Sequence, residues 1–193
     1  MSKERLEAFS DGVIAILITI MVLELRIPQG ADWQALRAIL PAFLSYALSF
    51  VFLGIYWNNH HHLLHATARI NGAILWANLH LLFWLSLVPV ATNWVGENHF
   101  AALPTAIYGV VLLLAAIAYF VLVNAILAEQ GPNSALAVAV GKDVKGKLSI
   151  VCYVAAIPLA FVHEAIADAI YVFVALIWLI PDRRIESKLD RSP

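Results

Sequence analysis

The sequence predicts an all-α membrane protein with about six transmembrane helices. Of its 193 residues, 62% are hydrophobic and only 13% are charged, whereas soluble domains are about 45–50% apolar and about 25% charged. Successive apolar segments also approach the ~20 residues that cross a bilayer as a helix. The formal net charge of -1 gives no indication of a nucleic-acid partner. We therefore expect a lipid bilayer to surround the chain.

Three apolar segments fill the first half of the chain. The first helix is predicted over about 6–27, the second over about 33–60 and the third over about 70–95. Pro28 ends the first segment. Pro89 lies inside the third, but prolines are tolerated in membrane helices because neighbouring groups satisfy the freed carbonyls. The third segment is therefore predicted to cross the membrane as one helix.

Three further helices are predicted in the second half. The fourth runs over about 103–127, and the shorter fifth and sixth run over about 147–162 and 166–180. The apolar stretch 135–140 is too short to span and is expected to be a surface helix. Because no internal repeat is found, we expect a single six-helix transmembrane domain over 1–193.

Lysine and arginine residues fall mainly on one side of this predicted topology. One side holds ten of them and the other holds two, Arg26 and Arg37. Positive residues are retained in cytoplasmic loops, so both termini are expected in the cytoplasm of a multi-pass cell-membrane protein. The ten are Lys3, Arg5, Arg69, Lys142, Lys145, Lys147, Arg183, Arg184, Lys188 and Arg191.

The first helix carries polar residues close to its inner end. Arg5, Ser10 and Asp11 lie at or inside the expected membrane boundary. Charged groups within a membrane helix are costly and need partners. On the residues alone, two interpretations remain open. In the first, Ser10 or Asp11 caps a helix while Arg5 lies among the headgroups. In the second, the three residues have a functional role.

An apolar stripe continues from this polar group. Ile16, Ile20 and Leu23 lie at positions i, i+4 and i+7, so they share one face of the helix, and Thr19 lies beside them. Taken alone, such a stripe is typical of lipid contact or helix packing.

A longer pattern in this helix resembles the signature of the transmembrane protein 175 family, in its prokaryotic branch. The pattern is Arg5-x-x-x-Phe9-Ser10-Asp11, followed by Gly12-Val-x-Ala-Ile16-x-x-Thr19 and Leu23-Glu24-Leu25. Similarity extends to Trp57-x-x-His60, to the segment from Asn78 to Pro89, and to Trp178-x-x-Pro181-Asp182-Arg183. The members are potassium channels, and the prokaryotic ones carry a single set of six helices.

The resemblance implies a homotetramer with four first helices around a central pore. It maps the pore-lining residues onto Ile16, Ile20 and Leu23, with Thr19 as a polar layer and Ile16 as the narrowest ring. It also implies that Arg5, Ser10 and Asp11 hold the first three helices together through hydrogen bonds rather than by binding ions.

The expected ion selectivity is weak. The carbonyl filter sequence T-V-G-Y-G of the usual potassium channels is absent. A ring of aliphatic side chains instead forces a cation to lose part of its hydration shell, which costs K⁺ less than Na⁺. We expect K⁺ as the permeant ion, some leak of other monovalent cations, and no cofactor.

Histidines cluster at the end of the second helix. His60, His61, His62 and His65 follow two asparagines, and His61 and His65 have a chelating i, i+4 spacing. Three interpretations remain open: a partly protonated interfacial cap, a hydrogen bond from His60 to the Ser10 and Asp11 group, and a metal site. No carboxylate is close in sequence, so no metal site is predicted. Asn78 is expected to be another hydrogen-bond partner of the first helix.

Two other classes of protein compete with a channel. A secondary transporter or a proton-conducting protein is the main alternative, although inverted repeats and a deep acidic residue are not evident. An enzyme is not expected, because no nucleophile elbow, zinc motif or paired carboxylate is found.

Overall fold

The computed structural model describes residues 2–131, 134–141 and 143–179. These residues form eight helices and no strand. The helices are α1 (Lys3–Leu23), α2 (Trp33–His65), α3 (Gly72–Ser86), α4 (Val88–Glu97), α5 (Ala102–Gln130), α6 (Ala135–Val140), α7 (Val144–Leu159) and α8 (Glu164–Leu179). The prediction of an all-α protein is confirmed. Lys142, Ile180 and the whole segment from Pro181 to Arg191 used in the sequence analysis lie outside the described residues.

Four of the described helical segments are long and apolar enough to cross a membrane. They are Lys3–Leu23, Trp33–His65, Gly72–Glu97 and Ala102–Gln130. α7 and α8 form where the fifth and sixth spans are predicted, but each has 16 described residues, about 24 Å at 1.5 Å per residue. The chain is therefore built from membrane helices, of which these four are the longest in its described part.

The third predicted span is present over Gly72–Glu97, but it consists of two helices, which corrects the prediction of one unbroken helix. α3 ends at Ser86 and α4 begins at Val88, with Leu87 between them. Pro89 has no N–H with which to continue the α-helical ladder. The amide of Leu87 bonds instead to the carbonyl of Trp84, three residues earlier. The proline therefore divides the span into two helices without a loop.

The ends of the first two helices also differ from the prediction. α1 stops at Leu23, four residues short of the predicted end. α2 continues through the histidines to His65. The Lys3 ammonium donates to the carbonyl of His65 at 2.6 Å, and a cation at the C-terminal end of a helix is favourable. This contact places the N-terminal end of α1 beside the C-terminal end of α2.

α5 lies at the centre of the fold and packs against α3, α4, α7 and α8. α1 packs against α2, α3 and α4 at one edge. The core is mostly aliphatic, with a buried polar contact in which the Ser49 hydroxyl lies 2.6 Å from that of Thr92 and 2.9 Å from that of Tyr108. This contact joins α2, α4 and α5. α1 is thus anchored along one side only.

Candidate functional site

The two faces of α1 have opposite environments. One face is buried in the chain and consists of Leu6, Ser10, Ile14, Leu17 and Met21. The other is exposed: Ile16 is 57% exposed, Ile20 40% and Leu23 82%, and Thr19 is exposed beside them. Thr19 donates its hydroxyl proton to the carbonyl of Ile16 at 2.8 Å. The predicted pore residues therefore lie together on a face that no part of the described chain covers.

A buried chain of hydrogen bonds ties α1 to α2 and α3. Asn78 donates from Nδ2 to Ser10 Oγ at 3.0 Å, and Ser10 donates its hydroxyl proton to the carbonyl of Leu6 at 2.9 Å. With the amide in this orientation, Asn78 Oδ1 is an acceptor, so His60 Nε2, 2.6 Å away, must donate to it. His60, Asn78 and Ser10 are completely buried. Asn78 is thus hydrogen-bonded to Ser10, whereas His60 is linked to Ser10 only through Asn78 and, among the described residues, has no direct hydrogen bond to Ser10 or Asp11.

The tautomer of His60 follows from these bonds. Because Nε2 carries the proton, the neutral ring has a lone pair on Nδ1. That Nδ1 atom is buried and has no hydrogen-bond partner among the described residues. A buried acceptor without a partner is unusual. The ring is therefore oriented by Asn78 alone.

Asp11 belongs to a second polar group, next to the buried chain. Trp57 donates from Nε1 to Asp11 Oδ1 at 3.1 Å. Glu7 Oε1 lies 2.9 Å from His61 Nδ1. Ligand atoms of Glu7, Asp11 and His61 all lie within 4.8 Å of one another. The sequence analysis missed Glu7, and it did not place Trp57 or His61 against α1.

A sequence signal for this second group does exist. Glu7 and Asp11 are separated by four residues, as are Trp57 and His61, so each pair shares one helix face. The indole of Trp57 and the imidazole of His61 are stacked, with centroids 6.2 Å apart. The spacing does not give the register of α1 against α2, so it does not predict that the two pairs meet.

Arg5 is not part of either polar group. Its side chain is exposed, and within the described part of the chain its guanidinium forms no hydrogen bond or ion pair that would join helices. It lies on the stripe of Phe9, Gly12 and Ile16, since these positions are separated by four, three and four residues. The chain thus brings Ser10, His60 and Asn78 together but leaves Arg5 on the open face.

A bacterial protein is similar to this chain over its whole length. A protein of Chryseobacterium sp. (strain P1-3), named as a potassium channel, is 57% identical over 192 residues, which is 100% of both chains. A family model described as the endosomal/lysosomal potassium channel TMEM175 matches residues 5–89. The chain belongs to the TMEM175 family. The matched segment contains most of α1, all of α2 and α3, and both polar groups described above.

A solved TMEM175 relative also has the same fold. The crystal structure of a lysosomal potassium-selective channel TMEM175 homolog from Chamaesiphon minutus superposes with a TM-score of 0.81 at 26% identity, covering 93% of this chain and 97% of that one. The human relative, named as an endosomal/lysosomal proton channel, is 35% identical over 103 residues, or 47% of this chain and 20% of its own length. The predicted TMEM175 membership is confirmed. These relatives are named as ion channels, which agrees with the prediction against an enzyme.

Proposed function

We propose that this protein is a potassium-permeable cation channel whose pore is lined by α1. The observation that carries the proposal is the exposed face of Ile16, Thr19, Ile20 and Leu23 on a helix whose opposite face is buried in the chain. One such helix cannot enclose an ion path. Four copies around an axis can, because closed cyclic assembly is the usual solution for identical subunits. Membership of the TMEM175 family supports the same function.

The side chains on this face account for weak selectivity. Rings of isoleucine and leucine offer a cation no ligand, so the ion must lose part of its hydration shell to pass. K⁺ gives up water at less cost than Na⁺, and an aliphatic ring also closes by dewetting. Thr19 adds a ring of hydroxyl oxygens between the aliphatic layers. Ile16 is our choice for the narrowest ring.

The proposed assembly is a homotetramer of single six-helix domains in the cell membrane, with α7 and α8 as the fifth and sixth crossings. Among the described residues, five lysines and arginines lie at the end of the bundle that holds the N-terminus, namely Lys3, Arg5, Arg69, Lys145 and Lys147. Arg26 and Arg37 lie at the other end. This imbalance supports cytoplasmic termini.

The polar residues near the N-terminus have a structural role in this proposal. Ser10, Asn78 and His60 fix the rotation of α1 about its axis, because a rotated helix would leave their hydrogen bonds unmade in an apolar interior. Asp11 adds its bond to Trp57. For Arg5, whose side chain is on the open face, the proposed structural role requires a partner from a neighbouring copy.

Bilayer recordings of the reconstituted protein test the proposal. We expect single-channel currents and a reversal potential displaced toward the K⁺ equilibrium potential under a K⁺/Na⁺ gradient. Ile16→Asn wets the ring and should bring the K⁺/Na⁺ permeability ratio toward unity. Val22→Asn is the matched control, because Val22 is 45% exposed on the same helix but lies about 120° from Ile16. Equal effects of the two substitutions would contradict a ring at Ile16.

Proton conduction is a second candidate, since the vertebrate relatives are named as proton channels. Recordings with a pH gradient and symmetrical K⁺ separate the two functions. A reversal potential that follows the proton gradient supports proton permeation, whereas one at zero supports K⁺ as the main charge carrier. A saturating flux without single-channel steps would instead indicate a transporter.

A further inference from the structure

Two acidic side chains of α1 and one imidazole of α2 converge at the N-terminal end of α1. Glu7 Oε1 and His61 Nδ1 are 2.9 Å apart, and an oxygen of Asp11 completes a set of three ligand atoms within 4.8 Å of one another. All three residues are half-buried, and the His61 side chain is 44% exposed. The group is therefore partly accessible at the surface of the single chain.

The donor set fits a divalent transition-metal ion. Zn²⁺ binds imidazole nitrogen and carboxylate oxygen at about 2.0–2.2 Å, so its tetrahedral ligand atoms lie roughly 3.3 Å apart. The three atoms now lie within 4.8 Å of one another, so we expect them to move to that distance when a metal ion binds. Three protein ligands leave a fourth position for water, as in open zinc sites. Two carboxylates and a neutral imidazole also balance the charge of such an ion.

The surroundings hold these ligands in place. Trp57 donates to Asp11 Oδ1, and bonds of this kind orient carboxylate ligands at metal sites. The ring of His61 is stacked between those of Trp57 and His65, with interplanar angles of 25° and 19°. Glu7 and Asp11 share one face of a helix. The hydrogen bond to Asp11 and the stacking of His61 thus restrict the positions of two of the three ligands.

We propose that Glu7, Asp11 and His61 form a binding site for a divalent transition-metal ion of the Zn²⁺ class, which links α1 to α2. A proton is the competing occupant, because protonated His61 forms an ion pair with Glu7. If α1 lines the pore, as proposed above, a bound metal restrains the pore helix next to its polar anchor. That last consequence rests on the proposed function, whereas metal binding itself does not.

Calorimetric titration of the full-length protein in detergent with Zn²⁺ tests the site. We expect one Zn²⁺ per chain, and tetrahedral d–d absorption bands when Co²⁺ is the probe. Glu7→Gln and His61→Ala should each weaken Zn²⁺ binding at least tenfold. Zn²⁺ should raise the melting temperature of the wild type but not of these variants, which also reports whether the variants are folded.

His65→Ala is the matched control, because His61 and His65 alone have a chelating spacing. This substitution should leave Zn²⁺ affinity within about threefold of the wild type. The proposal is overturned if no saturable Zn²⁺ binding is found, or if binding depends on His65 and not on Glu7. Because the measurement involves no ion current, its failure would leave the channel assignment intact, and the absence of current would leave the metal site intact.

Discussion

At the scale of single residues, the hydrogen-bond chain from His60 through Asn78 to Ser10 is the feature most sensitive to substitution. Asn78 is both the acceptor for His60 and the donor to Ser10. Replacing it leaves a buried N–H of His60 without an acceptor. Leaving a buried polar group unpaired costs about 1–3 kcal/mol. Asn78 is therefore the residue of the three whose loss breaks both of these hydrogen bonds between helices.

We predict that Asn78→Leu lowers the stability of the folded chain by about 1–3 kcal/mol. Thermal unfolding in detergent measures this as a lower melting temperature. Asn124→Leu is the matched control, since Asn124 is exposed and its bond within the described residues is to the carbonyl of Phe120 in its own helix. If both variants have the melting temperature of the wild type, the buried hydrogen bonds of Asn78 do not stabilise the packing of the helices.

The sequence analysis singled out Ser10, Asn78, His60 and Asp11, but it missed Glu7 and did not place Trp57 or His61 against α1. Ser10 and Asn78 are polar residues within apolar segments, so each of them needed a partner. Glu7 and His61 lie near helix ends, where solvent is an equally good partner. Their convergence depends on the register of α1 against α2, which helix periodicity does not determine. The exposure of Arg5 stayed one of two open interpretations, because the spacing does not determine which face of α1 is covered.

At the scale of helices, close packing of α4 against α2 depends on a glycine. A Cβ atom at Gly96 would lie 2.6 Å from Ser45 Oγ and 2.7 Å from the Cα atom of Ala42. The second of these is a backbone atom, so a side-chain rotation cannot relieve the contact. Gly54, in α2, has nothing within 4 Å of the same position. A Cβ atom can thus be added at Gly54 without a steric clash, whereas one at Gly96 would force its neighbours to move.

We predict that Gly96→Ala destabilises the protein by about 1–3 kcal/mol through overpacking. Gly54→Ala should be neutral or stabilise it by up to about 1 kcal/mol, because alanine favours a helix. Melting temperatures of the two variants provide the comparison. A Gly96→Ala variant as stable as the wild type would show that α4 can move away from α2 at no cost.

The helices also show which parts of a membrane fold can be predicted from composition. Apolar length located the four long spans, yet three prolines inside apolar segments had different outcomes. Pro41 and Pro158 lie within α2 and α7, whereas α4 begins one residue before Pro89. Each proline removes the same donor. Whether the helix continues past a proline depends on whether neighbouring groups form a hydrogen bond with the freed carbonyl. Those neighbours are known only once the fold is known.

At the scale of the whole molecule, the exposed face of α1 is the clearest indication of assembly. The exposed aliphatic residues form a continuous stripe that ends at Leu23, the most exposed of them at 82%. Lipid can cover such a face, as can other copies of the chain. Thr19 and Arg5 on the same face favour an aqueous path, because polar and charged groups inside membranes face cavities or protein.

We predict that Leu23→Cys, in a Cys152→Ala background that removes the only native cysteine, is cross-linked between copies by a short bifunctional maleimide. Each molecule of the reagent joins two of the four thiols around the axis, so denaturing gels should show dimers of the 21.2 kDa chain. Phe173→Cys, 49% exposed on α8, should remain monomeric because α8 is far from the proposed axis. Native mass spectrometry of the uncross-linked protein should give the mass of four chains. A thiol at position 23 that reacts only with lipid-soluble reagents and never forms dimers would place this face against lipid, and α1 could then not line a pore.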